Sequence, residues 1–494
     1  MSALLIENGV VYTADAAETV LSRGSILVVD DKIAAIGVPE TVAAAVAALA
    51  DPVRSELHTI DAARMMVLPG LINAHWHDMF AMGFPLRGAL RPASDRTDEV
   101  ALFGGGGDMH KISGMFDSFD GLISGLTPDE GQAIAEYSMW TQLRGGVTTL
   151  GDAGSLNRPA ALVAAARTLG IRFSATTWAS DAICPPAADS FVRTRDADAV
   201  LSQLEELLKS CAQDESGRIR CRPSIAYVTN MTDELGRGFA ELVARHDAGF
   251  VTHVGAVRNE PELMRKYYGA TGVRRLHDLG LVTDRLMAAH CAFIDDEEQA
   301  LLRAAGAHIS HSPGKYGPSG ESTLTETAVV PRLRRAGVPV SLSTDGASLP
   351  NAGMAEAMRA AWQMYNEMVA DQTDVLPTDT LAMSTRIAAA GLRWAGEIGS
   401  LEVGKQADLV LIRTDDWRYL LNPRPLESFL WLGGSHDVDT VVVGGQVLLS
   451  GGGSVGVDVD ELRERYLTAL GSFTTRCLGV PAEVVGGILA GARR

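Results

Sequence analysis

The feature that most constrains the fold is a regular alternation of short apolar runs with longer amphipathic stretches. Eight apolar runs of strand length are separated by segments of helical length, such as Pro128–Leu143 and Ala352–Val369. Repeated strand–helix units build parallel sheets, and eight of them are typical of a closed barrel. The sequence therefore predicts an α/β protein with a (β/α)8 TIM barrel. The strand-like runs end at His75, Leu150, Thr177, Tyr227, His253, His290, His311 and Thr344.

Short strand-like segments flank these units on both sides. Leu4–Tyr12, Ser25–Asp30 and Lys32–Gly37 precede them, and Asp408–Ile412 and Val438–Val443 follow them. Because isolated strands need partners, we expect the two flanks to pair into one small β-sandwich domain. The predicted domains are the composite β domain from residues 1–67 and 396–456, the barrel from residues 68–395, and a C-terminal helical tail from residues 457–494.

Charge and composition exclude several classes of function. Lys and Arg total 43 and Asp and Glu total 61, so the formal charge of −18 gives an acidic surface that repels phosphate backbones. No apolar run approaches the ~20 residues that span a bilayer, and the N-terminus lacks a signal-peptide pattern. The five cysteines include no CxxC pair. We expect a cytoplasmic homo-oligomer, a dimer or larger, that acts on a small molecule and binds neither nucleic acid nor a membrane.

Histidine and aspartate stand where several predicted strands end. His75 and His77 close the first strand, and their i, i+2 spacing puts both imidazoles on the same face of an extended chain. His253 ends the fifth strand and Asp345 follows the eighth. Because barrel strands end at one mouth, and because imidazole and carboxylate groups suit zinc or ferrous iron, we predict a metal site there. The other histidines at this end are His290 on the sixth strand and His311 on the seventh.

Longer motifs extend this pattern over nearly the whole chain. They are PGLINAHWH at 69–77, GVTTLGD at 146–152, AHC at 289–291, HSP at 311–313, STDGAS at 343–348, IGSLEVGKQADLV at 398–410 and VDTVVVGG at 438–445. With these motifs the chain resembles the amidohydrolase superfamily. Within it, the chain is most similar to the branch of atrazine/triazine chlorohydrolases and cytosine, guanine and adenosine-type deaminases.

The resemblance implies a single divalent metal ion, with zinc as the first choice and ferrous iron as the alternative. No lysine stands at a strand end to bridge two metals, which favours a mononuclear site. The resemblance gives His290 contact with the attacking water or the substrate. Asp345 can both bind the metal and accept the proton of that water, so Asp345 and His290 are the expected catalytic residues. The implied metal ligands are His75, His77, His253 and Asp345.

One position departs from the family pattern. Deaminases of this branch usually carry Glu three residues after the strand-five histidine, and that carboxyl protonates the ring nitrogen of the substrate. This chain has Ala256 there, and alanine cannot transfer a proton. Glu260 follows four residues later. Because acidic residues are enriched in the first turn of helices, we expect Glu260 to be a solvated helix start, with a side chain that reaches back to the site as the alternative.

The loss of this acid changes the expected reaction. At a carbonyl the metal polarises the oxygen, and the leaving nitrogen can take its proton from Asp345. The sequence therefore favours hydrolysis of a non-peptide C–N bond, of amide, urea, carbamate or lactam type, in a small cyclic or aromatic molecule. Deamination or dechlorination of a heteroaromatic ring is the first alternative, and a non-catalytic barrel is the second.

Four residues are candidates for the substrate pocket. Trp178 and Tyr227 end the third and fourth strands and can flank a substrate, with buried packing as the equal alternative. His311 is expected to face the pocket. His110 lies in the long stretch Asp78–Leu126, whose Met and Phe residues and length favour a lid over the barrel mouth.

Overall fold

The computed structural model describes residues 2–78, 107–155, 158–319, 323–346, 353–420 and 423–492. Among these residues no helix combines the length and the apolar character that crossing a membrane requires. The N-terminal part contributes five strands and two helices, Pro39–Ala47 and Asp51–Ser55. The strands are β1 (Ala3–Tyr12), β2 (Val20–Val29), β3 (Lys32–Gly37), β4 (His58–Asp61) and β5 (Met65–Pro69).

The central part carries twelve strands among the described residues. Two of them, β10 and β11, form a separate antiparallel ribbon, and the others pair in parallel. The strands are β6 (Leu71–Trp76), β7 (Val147–Asp152), β8 (Arg172–Ala175), β9 (Trp178–Ala179), β10 (Ala182–Ile183), β11 (Val192–Arg193), β12 (Ile219–Cys221), β13 (Ser224–Tyr227), β14 (Phe250–Val254), β15 (Leu286–His290), β16 (His308–His311) and β17 (Val340–Leu342).

The parallel strands follow the order of the chain. One sheet runs β6–β7–β8–β12, and the other runs β9–β13–β14–β15–β16–β17. The third and fourth strand positions are each broken in two, because β8 continues as β9 and β12 continues as β13 after short interruptions. Asp345 follows β17 and donates its backbone N–H to the carbonyl of His75 at 3.1 Å. A parallel bridge between Trp76 and Asp345 thus brings the end of the last strand beside the first.

Helices connect the strands and pack against them. Two of them begin with capping boxes, formed by Thr127 with Glu130 and by Asp295 with Glu298, which satisfy the free N–H groups of the first turn. The helices from residue 107 to residue 391 are Met109–Ile123, Pro128–Arg144, Pro159–Leu169, Ala197–Cys211, Asp233–Arg245, Glu260–Tyr268, Gly272–Asp278, Asp296–Ala304, Pro313–Ser319, Val329–Arg335, Met354–Val369, Pro377–Met383 and Arg386–Gly391.

The two ends of the chain share one sheet of nine strands. The C-terminal part adds β18 (Leu409–Arg413), β19 (Val438–Val443), β20 (Gln446–Ser450) and β21 (Gly453–Ser454). The junction is the antiparallel pair β5–β18, in register from Leu409 opposite Pro69 to Arg413 opposite Met65. The strand order is β21–β20–β19–β18–β5–β1–β2–β3, with β4 paired to β1. A two-layer sandwich within this sheet stays a prediction.

The C-terminal segment is helical. It contains Val459–Leu478 and Ala482–Ala492, and two shorter helices, Trp417–Leu420 and Pro425–Trp431, precede it. Val459–Leu478 packs on Pro128–Arg144. Across that contact the rings of Tyr137 and Tyr466 stack with centroids 4.4 Å apart, and Arg476 forms an ion pair with Glu130 at 2.6 Å. The helical tail is thus fastened to a helix that leads into β7.

Candidate metal centre

Three imidazoles meet at the end of β6. His75 and His77 point to the same side, and their Nε2 atoms lie 2.9 Å apart. His253, on β14, brings its own Nε2 to 3.1 Å from both of them. All three side chains are buried. The three imidazoles lie together because parallel strands place residues that are far apart in sequence at the same end of the sheet.

The hydrogen bonds of these rings fit a bound cation. The Nδ1 atoms of His77 and His253 donate to the backbone carbonyls of Gly154 and Ala226. This arrangement requires the hydrogen on Nδ1, so each Nε2 is an acceptor in the neutral ring. Two acceptors at 3.1 Å cannot satisfy each other. A metal ion between them resolves the conflict, and carbonyl bonds to the opposite nitrogen are the usual support for a histidine ligand.

A carboxylate and a fourth imidazole complete the cluster. The Oδ1 atom of Asp345 lies 3.5 Å from Nε2 of His77 and 3.8 Å from Nε2 of His75. His290, at the end of β15, places Nε2 3.9 Å from the other carboxylate oxygen. Two overlapping groups have ligand atoms close enough to share an ion: His75, His253 and His290, and His75, His77 and Asp345. The structure therefore brings together the four predicted ligands and His290.

Burial controls the charge of these groups. Desolvation lowers the pKa of His253 to about 3 and lowers the pKa values of His75 and His290 well below the usual range. Burial alone would raise the pKa of Asp345, but the nearby Lys315 ammonium and the imidazoles outweigh it and hold that pKa well below its usual range. Near neutral pH the cluster consists of neutral imidazoles around an ionised carboxylate, which is the protonation state that metal binding requires.

Lys315 is a charged member of the site that the sequence patterns did not single out. Its Nζ lies 3.1 Å from Oδ2 of Asp345, and the side chain is 11% exposed. It belongs to the helix Pro313–Ser319, which follows directly after β16. Lys315 stands four residues beyond His311 and is therefore not at a predicted strand end. The run HSPGKYG at 311–317 is the signal that could have found it.

A pair of tyrosines links His290 to His311. The hydroxyl of Tyr316 lies 3.0 Å from Nδ1 of His290, and its ring centroid is 5.0 Å from that of His311. On the far side, the hydroxyl of Tyr365 lies 2.6 Å from Nδ1 of His311. His311 is therefore buried behind Tyr316, one contact away from the metal cluster.

The three other predicted pocket residues have different surroundings. Tyr227 stacks on His253 at 4.6 Å, and the ring of Trp178 is 6.2 Å from that of His77. Trp178 also covers Gly154, where a Cβ atom would lie 1.5 Å from the indole nitrogen. Nδ1 of His110 is bonded to the carbonyl of Cys184, and no contact among the described residues joins it to the histidine cluster. Most of the predicted lid, residues 79–106, lies outside the described part of the chain.

Glu260 is buried, so the expectation of a solvated side chain was wrong. It does begin a helix, Glu260–Tyr268, but only 1% of it is exposed. Its carboxylate accepts the backbone N–H groups of Gly255 at 2.7 Å and Ala256 at 2.8 Å. Burial raises its pKa to about 7, and these hydrogen bonds oppose the rise. The side chain reaches back to the turn after β14, and it binds backbone there.

Three residues at the site have left-handed backbone conformations. The φ angles are 74° at His290, 53° at Cys291 and 56° at Asp345. Non-glycine residues seldom adopt this region, and it costs of order 1 kcal/mol or more at each position. The turn at His290 is held by a hydrogen bond from the N–H of Cys291 to the carbonyl of Val254. Strained backbone that surrounding contacts hold in place is a frequent property of functional sites.

Known proteins resemble this chain over most of its length. A 5-methylthioadenosine/S-adenosylhomocysteine deaminase of Symbiobacterium thermophilum is 30% identical over 83% of this chain and 85% of its own. The same-named enzyme of Syntrophobacter fumaroxidans is 26% identical over 94% and 96%. Zinc-bound atrazine chlorohydrolase from Arthrobacter aurescens is 25% identical, covers 94% of this chain and 100% of its own, and superimposes with a TM-score of 0.77.

A zinc-bound adenosine deaminase from Xanthomonas campestris shares the fold, with 21% identity, a TM-score of 0.76 and coverage of 96% of this chain and 98% of its own. The profile of the Amidohydrolase family matches residues 66–448, which span the strands from β5 to β20 and all the clustered histidines. This chain belongs to the amidohydrolase family, and it is a metal-dependent hydrolase of carbon–nitrogen bonds other than peptide bonds.

Proposed function

We propose that the enzyme opens a C–N bond at a carbonyl carbon, in an amide, urea, carbamate or lactam of a small cyclic or aromatic molecule. The observation that carries this proposal is Ala256, which stands where deaminases of this branch have an acid. Glu260 carries the nearest carboxyl along the chain, and that carboxyl already accepts hydrogen bonds from two backbone N–H groups. A carbonyl substrate needs no ring-nitrogen acid, so the absence of a carboxyl at position 256 costs nothing in that reaction.

We assign the metal to His75, His77, His253 and Asp345, with zinc preferred and ferrous iron as the alternative. Two observations support this assignment. The Nε2 atoms of His77 and His253 face each other as acceptors, and Asp345 is ionised. A divalent ion bound there would polarise a carbonyl oxygen and would lower the pKa of a bound water towards about 7. Donors of this type suit zinc and ferrous iron equally, so metal analysis of the purified enzyme decides between them.

Residues of the chain then transfer the proton and stabilise the developing charge. Asp345 accepts the proton of the attacking water and returns it to the leaving nitrogen. If Tyr316 donates to Nδ1 of His290, then Nε2 of His290 carries the hydrogen and can donate to the developing oxyanion. Tyr227 and Trp178, which lie against the ligands His253 and His77, flank the substrate ring and exclude water.

A substrate screen tests the proposal. Metal-loaded enzyme is offered cyclic amides, ureas and carbamates in one set and aminated or chlorinated heterocycles in another. Release of a carboxylate or an amine from the first set, with no ammonia or chloride from the second, is the expected result. Efficient release of ammonia or chloride from the heterocycles, with no turnover of the first set, would overturn the carbonyl proposal.

Deamination or dechlorination of a heteroaromatic ring is the second candidate. It is favoured by the deaminase and chlorohydrolase names of the relatives. Lys315 is compatible with either reaction, because its ammonium, 3.1 Å from Asp345, places a positive charge near the reacting centre. Hydroxide addition to an aromatic ring builds negative charge on a ring nitrogen, and a cation stabilises that charge without a carboxylic acid.

We also propose the domain division that the sequence predicts. Residues 68–395 form a closed (β/α)8 barrel, supported by the bridge between Trp76 and Asp345, and residues 1–67 and 396–456 form the small β domain, supported by the pairing of β5 with β18. Residues 457–494 form the helical tail. Homo-oligomeric assembly and a cytoplasmic location stay predictions.

A further inference from the structure

Two cysteines lie together far from the metal centre. Cys211 is the last residue of the helix Ala197–Cys211, and Cys221 is the last residue of β12, so the loop 212–220 separates them. The helix and the strand that carry them pack against each other. Both are free thiols; Cys211 is buried and Cys221 is partly exposed. Neither residue has a part in the reaction described above.

Both thiols line one cavity. Its volume is about 380 Å³, and it is enclosed by the residues that precede β14 and by the end of the helix Arg386–Gly391. Three arginines also line it, at positions 220, 222 and 393. It lies at the starts of the parallel strands, at the opposite end from the metal centre. Asp247 lines the cavity as well and forms an ion pair with Arg393 at 3.4 Å, so a small oxidant that enters meets the two sulfur atoms among both cationic and anionic groups.

The two thiols are not equivalent. The hydrogen bond from the Cys221 thiol lowers the pKa of Cys211, and the charge of Arg167 acts in the same direction. The same pairing and burial raise the pKa of Cys221 well above its usual range. A thiol of lowered pKa beside a protonated partner is the arrangement of an attacking and a resolving cysteine.

We propose that Cys211 and Cys221 are a redox modification site that forms a reversible intramolecular disulfide when a hydroperoxide enters this cavity. The thiolate sulfur of Cys211 attacks one peroxide oxygen and the O–O bond breaks, which gives a sulfenic acid and releases the corresponding alcohol, or water from hydrogen peroxide. The sulfur of Cys221 then attacks the Cys211 sulfur. The S–O bond breaks, and the hydroxyl leaves as water with the Cys221 proton. Two thiols are oxidised and one peroxide is reduced, and a dithiol reductant reverses the change.

One buried side chain would connect the cross-link to β6, the strand that carries His75. Cys221 immediately precedes Arg222, whose buried guanidinium donates to the carbonyl of Ala74 at 2.8 Å. Ala74 in turn precedes the metal-site residue His75. The disulfide would therefore join the helix Ala197–Cys211 to a strand whose next residue contacts β6.

The test is peptide mapping of the intact, metal-loaded enzyme. The protein is treated with hydrogen peroxide near pH 7, alkylated and digested. We expect a peptide pair joined through Cys211 and Cys221, lighter by two hydrogen atoms and separated again by dithiothreitol. We also expect Cys211 to be oxidised at least ~10-fold faster than Cys184, a buried thiol whose pKa burial raises to about 11. Recovery of both cysteines as alkylated thiols, while Cys477 is oxidised, would refute the proposal.

Two single variants separate the roles. In Cys221→Ser the sulfenic acid of Cys211 has no resolving partner, so a dimedone adduct should accumulate on Cys211. In Cys211→Ser, Cys221 should resist peroxide. Cys184→Ser is the matched control and should still form the disulfide. An adduct on Cys221 in place of Cys211 would contradict the assignment of the attacking thiol. The measurement on the wild-type protein stands on its own if either variant fails to fold.

Discussion

Glu260→Gln should remove a pH dependence from the stability of the enzyme. Burial raises the pKa of Glu260 to about 7, against 4.5 for an exposed glutamate. Between these values the folded protein holds a proton that the unfolded chain has released. The stabilising contribution is therefore fully present below about pH 4.5 and is lost as the pH rises through about 7. Above that pH the fold contains a buried carboxylate, and glutamine at this position carries no charge.

The size of the effect follows from the same two values. At about 1.4 kcal/mol for each pH unit, the gap corresponds to about 3.5 kcal/mol of unfolding free energy, and most of it is lost between pH 5 and pH 8.5. An unfolding entropy near ~2.1 cal/mol/K per residue gives about 1 kcal/mol/K for a chain of this length. The Tm of Glu260→Gln relative to wild type should therefore rise by about 3 °C between pH 5 and pH 8.5.

Paired thermal melts at the two pH values measure this difference, and other titrating groups cancel in the comparison with wild type. Glu262→Gln is the matched control on the same helix, because an exposed side chain meets similar solvent in the folded and unfolded states. A Tm difference between Glu260→Gln and wild type that stays constant across the range would show that Glu260 does not titrate there. A fall in that difference would mean that the two N–H bonds outweigh burial.

Four further outcomes are expected. His75→Ala should lose bound metal and activity together, as metal analysis beside a rate assay would show. Asp345→Asn should lower kcat/KM by more than about 10²-fold, whereas Glu260→Gln should change it by less than about tenfold; the reverse order would move the acid–base role to Glu260. Wild-type enzyme should release negligible ammonia from cytosine, guanine or adenosine, measured in a coupled ammonia assay. Lys315→Met should bind metal at least as tightly as wild type, because a cation beside Asp345 is removed, but its kcat/KM should fall about tenfold or more. Lys315→Arg should keep most of the wild-type kcat/KM. Weaker metal binding in Lys315→Met would count against this reasoning.

The metal cluster was predictable because parallel strands convert sequence order into spatial proximity. His75, His253 and Asp345 are far apart in the sequence, yet each stands at the end of an apolar run, and such ends meet at one edge of the sheet. The alternation of strands and helices also predicted parallel strands, and those outside the ribbon β10–β11 pair in parallel. The breaks between β8 and β9 and between β12 and β13 were not predicted, although Arg222 and Pro223 do mark the second break in the sequence.

Glu260 and Lys315 show where sequence reasoning stops. A helix start favours acidic residues on average, but the turn at Gly255 and Ala256 leaves two buried N–H groups that require an acceptor, and only the folded structure reveals that need. Lys315 lies one short turn beyond β16, where no strand-end rule applies. Its meeting with Asp345 depends on the helix Pro313–Ser319 turning back over the site.

Ala256 and Lys315 together define the kind of chemistry the site can support. A carboxylic acid at position 256 would supply a proton, an effect of about 10²–10⁴-fold in rate, or roughly 3–5 kcal/mol. An ammonium about 4 Å from a developing negative charge contributes about 4 kcal/mol at an effective dielectric constant near 20, and the Asp345 carboxylate offsets part of this. The two effects are similar in size, but the cation stabilises an anion without neutralising it. A tetrahedral oxyanion from a carbonyl remains charged until the leaving nitrogen departs, so it gains from a fixed cation throughout. A ring nitrogen that must be protonated gains less, and this difference is the physical reason to expect carbonyl substrates.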